Sequence, residues 1–102
     1  AEAQARSGQV AAAITELNKV LTKATDSWGI GANGAAYSGA QTAEAVLAEI
    51  FKQRQIELLF SGQRLEDSRR FNRPVSERTR NWFPYPLFER NNNNATPADP
   101  AL

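Results

Sequence analysis

Charged side chains concentrate in residues 53–71, QRQIELLFSGQRLEDSRRF, and three chemistries can be built from them. Glu57 and Asp67 are two carboxylates of the kind a glycoside hydrolase pairs as acid and base or nucleophile. Each lies close in sequence to arginines, however, and a neighbouring cation holds a carboxylate ionised, which is wrong for a general acid. Arg64, Arg69, Arg70, Arg73, Arg78 and Arg80 can instead be read as a phosphate-binding patch. Interleaved acids and the lack of a lysine cluster weigh against that. The third possibility is structural: a charge inside an apolar helix face is costly unless it is paired and hydrogen-bonded.

The helical pattern favours the third. At about 100° per residue, Arg54 and Glu57 fall inside the stripe made by Val46, Leu47, Ile50 and Leu58, on adjacent turns where they can meet. Ile56 and Leu59 point to the opposite side, so this part of the helix is expected to be covered on both faces. Gly62 permits a sharp reversal, after which Arg64, Asp67 and Arg70 are expected to join Arg54 and Glu57 in one buried ion-pair network. Guanidinium groups suit this because their fixed fork holds carboxylates and free carbonyls.

Composition narrows the rest. The 102 residues allow one modest core, and 12 basic against 11 acidic residues argue against a general nucleic-acid binder. There is no cysteine and no histidine, which excludes disulfides, zinc fingers, thiol nucleophiles and His-based acid–base chemistry, and no metal or cofactor is expected. No apolar run approaches the ~20 residues of a membrane span. The opening AEAQAR reads as the middle of a helix and the chain lacks Met, so it reads as a piece of a longer one.

Three helical segments are expected. Residues 1–25 form a hairpin: AEAQAR stops at Ser7-Gly8, a left-handed position that glycine tolerates, and Val10, Ile14, Leu17, Leu21 and Ala24 make one stripe on the next helix. The Gly8–Ala13–Leu17 spacing is tetratricopeptide-like, and such a unit cannot bury its face alone. Residues 26–41, DSWGIGANGAAYSGAQ, read as a flexible surface loop. Its Gly29-x-Gly31-x-x-Gly34 spells a dinucleotide fingerprint, but a helix end rather than a strand precedes it. Thr42 caps a long third helix with Glu44 in its first turn, running to about Ser61 and stopping at Gly62. Residues 42–71 thus hold this helix and its fold-back. Residues 72–102 form an irregular, Pro-rich, extended tail, with Trp82, Phe83, Tyr85 and Phe88 expected to pack on the third helix.

The run Arg54-x-Ile56-Glu57-Leu58-x-Phe60-x-Gly62-x-Arg64-x-x-Asp67-x-Arg69-Arg70-Phe71 resembles the C-terminal signature of the SusD/RagB family, close to E-R-R-x-E-L-x-F-E-G-x-R-x-x-D-L-R-R-W. AEAQARSGQ…AAITELNKV is similar to the last tetratricopeptide-like hairpin of such proteins, and FPYPLFERNNN to their P-I-P-x-x-E-x-x-x-N segment. Gln53, Gln55, Ser61, Gln63, Leu65, Glu66 and Ser68 depart from the commonest residues, and TPADPAL replaces the usual ending.

The resemblance implies an all-α fold and a non-catalytic lipoprotein at the surface of the bacterial outer membrane. Such a protein binds oligosaccharide and delivers it to a SusC-like TonB-dependent transporter. It also implies a missing N-terminal part that carries the lipidated cysteine and most of the scaffold. Sugar rings stack on aromatic faces, so the candidate ligand-binding residues are Trp28 and Tyr37 in the Gly-rich loop and Trp82 and Tyr85 in the tail. The alternative is a tetratricopeptide-like module that binds another protein and no sugar.

Overall fold

The first helix is short because its own sequence ends it. In this computed structural model, which describes residues 1–78 and 84–98, α1 spans Glu2–Arg6 and its ends are tied by a Glu2–Arg6 ion pair of 2.8 Å. Gly8 takes φ 82°. The amides of Gly8 and Gln9 then turn back to the carbonyls of Ala5 and Gln4, at 3.2 and 2.8 Å, the double bond of a Schellman stop. The chain reverses into α2, Val10–Leu21.

The third helix, α3, spans Ala43–Glu57 and is capped by Thr42, whose hydroxyl accepts the Ala45 amide at 3.2 Å. Ala5, Ala13 and Leu17 are buried with Val46, Ile50 and Phe51, so three helix faces close over one small core. Alanine is what permits the approach: Ala5 is 1% and Ala13 0% exposed, leaving no room for a longer side chain.

Two compact units make up the chain, Ala1–Leu59 and Phe60–Leu102. The second contains α4 (Arg64–Arg70), a 3-10 turn (Val75–Glu77) and α5 (Leu87–Asn92). Helix α4 ends as α1 does, with Asn72 in glycine's place at φ 50°. The Asn72 and Arg73 amides return to the carbonyls of Arg69 and Ser68, each at 2.9 Å. Arg73 grips Glu77 through two bonds of 2.8 Å, bracing the turn that follows.

The all-α class holds, and the described residues contain helices and no strand. Three expectations need correction. Helix α3 stops at Glu57, not at Ser61, because Leu58 leaves helical geometry and Phe60 swings to φ 64° before Gly62 is reached. Ile56 and Leu59 are 58% and 67% exposed, so the end of α3 is covered on one face only. The tail is not extended throughout: Pro86 sits at the N-cap of α5, where its missing N–H costs nothing and its ring starts rather than breaks a helix.

Candidate functional site

The connection between α2 and α3 was expected to be flexible, and it is instead laced together. Gly34 donates its amide to the Leu21 carbonyl at 2.8 Å, and Asn33 to the Lys23 carbonyl at 2.9 Å. The Asn33 side chain continues the ladder, accepting the Thr25 amide at 3.1 Å and donating to the Thr25 hydroxyl. Two glycines of the fingerprint, Gly31 and Gly34, serve this packing, and the third makes the turn. Gly29 turns the tip at φ 77°. A Cβ on Gly31 would lie 2.6 Å from the Ala24 backbone, and one on Gly34 2.9 Å from the Leu21 carbonyl. Their lack of side chains lets the loop lie against its own chain.

Asp26 closes the tip. Its Oδ1 accepts the amides of Trp28 and Ile30 at 2.9 and 3.0 Å, and Oδ2 accepts from Lys23 Nζ at 3.2 Å. The Asp26 amide donates to the Ile30 carbonyl at 3.1 Å, and the Gly29 amide to the Asp26 carbonyl at 3.0 Å. The Ile30 amide, then the Lys23 ammonium and the Trp28 amide, hold the Asp26 carboxyl below its usual range. Trp28 stands at the apex, 85% exposed, with Ile30 beside it at 62%. Asp26 and Asn33 were not singled out from the sequence, although short acceptors flanking a Trp-Gly tip are the signal for such a turn.

Tyr37 is placed differently. Its hydroxyl donates to the Ala40 carbonyl at 2.9 Å and its amide to Asn18 Oδ1 at 2.8 Å. Its ring crosses Gly39 so closely that a Cβ there would lie 2.6 Å from the phenol oxygen. The ring is half-buried and engaged within the loop, and the backbone amide ties the loop to α2. Tyr85 is 45% exposed, and Leu87 and Phe88 near it are 68% and 74% exposed, so Phe88 is not packed as expected. Trp82 and Phe83 lie outside the described residues.

The charged residues of the signature divide between the two units. In the first, Arg54 is half-buried and Glu57 exposed, so Glu57 is not the buried carboxylate expected of it. The helix ends at Glu57 itself, which leaves that side chain at the open end of the stripe. Both residues line a groove of about 300 Å³ whose floor is Leu17, Val20, Ile50 and Leu58. Glu2 and Glu16 line it as well, and neither was expected to share a surface with Arg54. Glu16 is paired with Lys19 at 2.6 Å, which lowers its carboxyl below the usual value.

In the second unit Asp67 is 4% exposed and accepts Arg70 at 2.8 Å, while Arg64 is exposed. The Arg70 guanidinium also lies 4.9 Å from the Phe71 ring centroid. Asp67→Ala leaves Arg70 without this carboxylate. Because Arg70 keeps 44% of its side chain in water, the expected loss is modest, about 1–2 kcal/mol. Chemical denaturation checks it, with Asp67→Asn expected to lose less.

No group of three metal-ligating side chains occurs among the described residues, and no described helix is long and apolar enough to cross a membrane. No curated protein and no solved structure matches the chain significantly. A family model described as the SusD family matches residues 1–99, nearly the whole sequence, including both helices of the hairpin, the Arg54–Phe71 signature and the Pro-flanked α5. The chain belongs to the SusD family, whose members bind carbohydrate or other nutrients in glycan uptake and are not enzymes.

Proposed function

We propose that this chain is part of a non-catalytic protein that captures oligosaccharide at the outer face of the bacterial outer membrane. It hands the sugar to a SusC-like TonB-dependent transporter and is held at the membrane by lipid on a cysteine outside these residues. The observation that carries the binding role is Trp28. A tryptophan 85% exposed on a hydrogen-bonded loop has no packing purpose in its own unit, and an open indole face is what an apolar sugar face stacks on. Of the other aromatic candidates, Tyr85 is 45% exposed, whereas Tyr37 acts by holding the loop; Trp82 remains a ligand candidate on sequence grounds.

Arg54, Glu57, Arg64, Asp67 and Arg70 serve the fold rather than chemistry. The Asp67 carboxylate sits beside the Arg70 guanidinium, and the sequence supplies no histidine or cysteine to share proton or acyl transfer. A panel of immobilised glycans followed by calorimetry on the hits tests the proposal, with binding and no cleavage as the expected outcome. A second possibility rests on the groove between α1, α2 and α3, whose apolar floor suits a helix of another protein. A transporter that co-purifies with a chain that binds no glycan favours this interaction module.

A further inference from the structure

Among the described residues, the Trp28 amide is held by the Asp26 carboxylate. We propose that Asp26 is a positioning residue that fixes the backbone bearing Trp28, so that its indole is presented as a stacking platform for a sugar ring; this rests on the oligosaccharide reading above. Both Asp26 oxygens are already engaged, by two backbone amides on one side and by Lys23 on the other. A carboxylate so engaged offers little to a sugar hydroxyl, so its effect on binding passes through Trp28.

The geometry states how. The Asp26 amide and Ile30 carbonyl close a five-residue ring, Asp26–Ile30, and the carboxylate spans it from inside. Gly29 makes the turn at φ 77°, a conformation that other residues adopt with strain. The backbone on both sides of the indole is thereby ordered before any ligand arrives. A loop that is free until it binds must be ordered at that moment, and affinity falls by that entropy. The ladder from Leu21 and Lys23 to Asn33 and Gly34 fixes the base of the same loop. The side chains of Trp28 and Ile30 are 85% and 62% exposed, while the amides of both are bonded to the Asp26 carboxylate.

The test uses 5-fluorotryptophan-labelled protein, in which the Trp28 resonance is assigned by its disappearance in Trp28→Phe. Soluble starch, laminarin and arabinoxylan serve as probes in affinity electrophoresis and in fluorine NMR titration. In Asp26→Ala the Trp28 resonance is expected to narrow as the ring gains motion. Affinity for whichever polysaccharide the parent binds is expected to fall about fivefold from the added ordering cost. Asp26→Asn keeps an acceptor oxygen for both amides and is expected to restore linewidth and affinity to within about twofold. A general loss of structure would not be rescued by Asn, nor would it leave the melting temperature unchanged. Asp26→Ala binding as tightly as the parent, or with an unchanged Trp28 linewidth, overturns the positioning role alone. If the parent binds none of the three and its Trp28 resonance does not move, sugar capture at this loop fails and the platform with it.

Discussion

Phe51→Ala should remove half or more of the first unit's stability. Phe51 is 8% exposed and is the bulkiest side chain of a core that otherwise consists of Ala5, Ala13, Leu17, Val46 and Ile50. Removing a buried phenylalanine costs about 3–5 kcal/mol, through lost transfer energy and the cavity left behind. A unit of this length, Ala1–Leu59, has roughly 3–9 kcal/mol to lose on the usual per-residue scale. The matched control is Leu59→Ala. Leu59 is 67% exposed, and its truncation should change stability by no more than about 0.5 kcal/mol. Urea denaturation followed by circular dichroism measures both. Equal losses for the two variants would contradict the burial pattern of α3.

That pair also marks where the sequence was readable and where it was not. The stripe Val46–Ile50 follows from spacing alone, as does the stop at Gly8, because one glycine at the end of an amphipathic run has one common use. Leu59 and Ile56 could not be placed the same way. Hydrophobicity on two sides of a helix says that both can be covered, and only the surrounding fold decides whether they are. The end of α3 was misjudged for a related reason: Leu58, Leu59 and Phe60 are all acceptable helix formers, so no local signal outweighs Gly62. Pro86 was taken as a helix breaker, and its position at the N-cap of α5 reverses its meaning.

The loop gives the sharper lesson about the site. Trp28 and Tyr37 looked equivalent as aromatic residues in a glycine-rich stretch. The structure separates them by their partners: Tyr37 spends its hydroxyl on Ala40 and its ring on Gly39, while Trp28 is left open above the Asp26 clasp. Glycine content suggested mobility, whereas Gly31 and Gly34 are the points where the backbone comes closest to itself. A high glycine count does not distinguish these two uses. The short acceptors Asp26 and Asn33 do, once they are seen to lie within hydrogen-bonding reach of the turn.

Trp28→Ala is therefore expected to separate binding from folding. At 85% exposure the indole contributes little to its own unit, so the melting temperature should stay within about 2 °C of the parent. Affinity for the recognised oligosaccharide should fall about tenfold or more, the loss of one well-placed aromatic contact. Tyr37→Phe should give the opposite pattern. It removes the bond to the Ala40 carbonyl, at a cost of about 1 kcal/mol, and should leave affinity nearly unchanged. Calorimetric titration beside thermal melting reads both quantities on the same samples. A Trp28→Ala protein that binds as the parent does would move the ligand contacts away from this loop.

The most direct measurement of the central claim is affinity electrophoresis of the protein through gels containing a panel of soluble polysaccharides. The same mixtures are then assayed for new reducing ends. Retardation by at least one polysaccharide, relieved by its own free oligosaccharide and accompanied by no new reducing ends, is the expected result. Release of reducing ends, or unretarded migration through every gel, contradicts non-catalytic glycan capture.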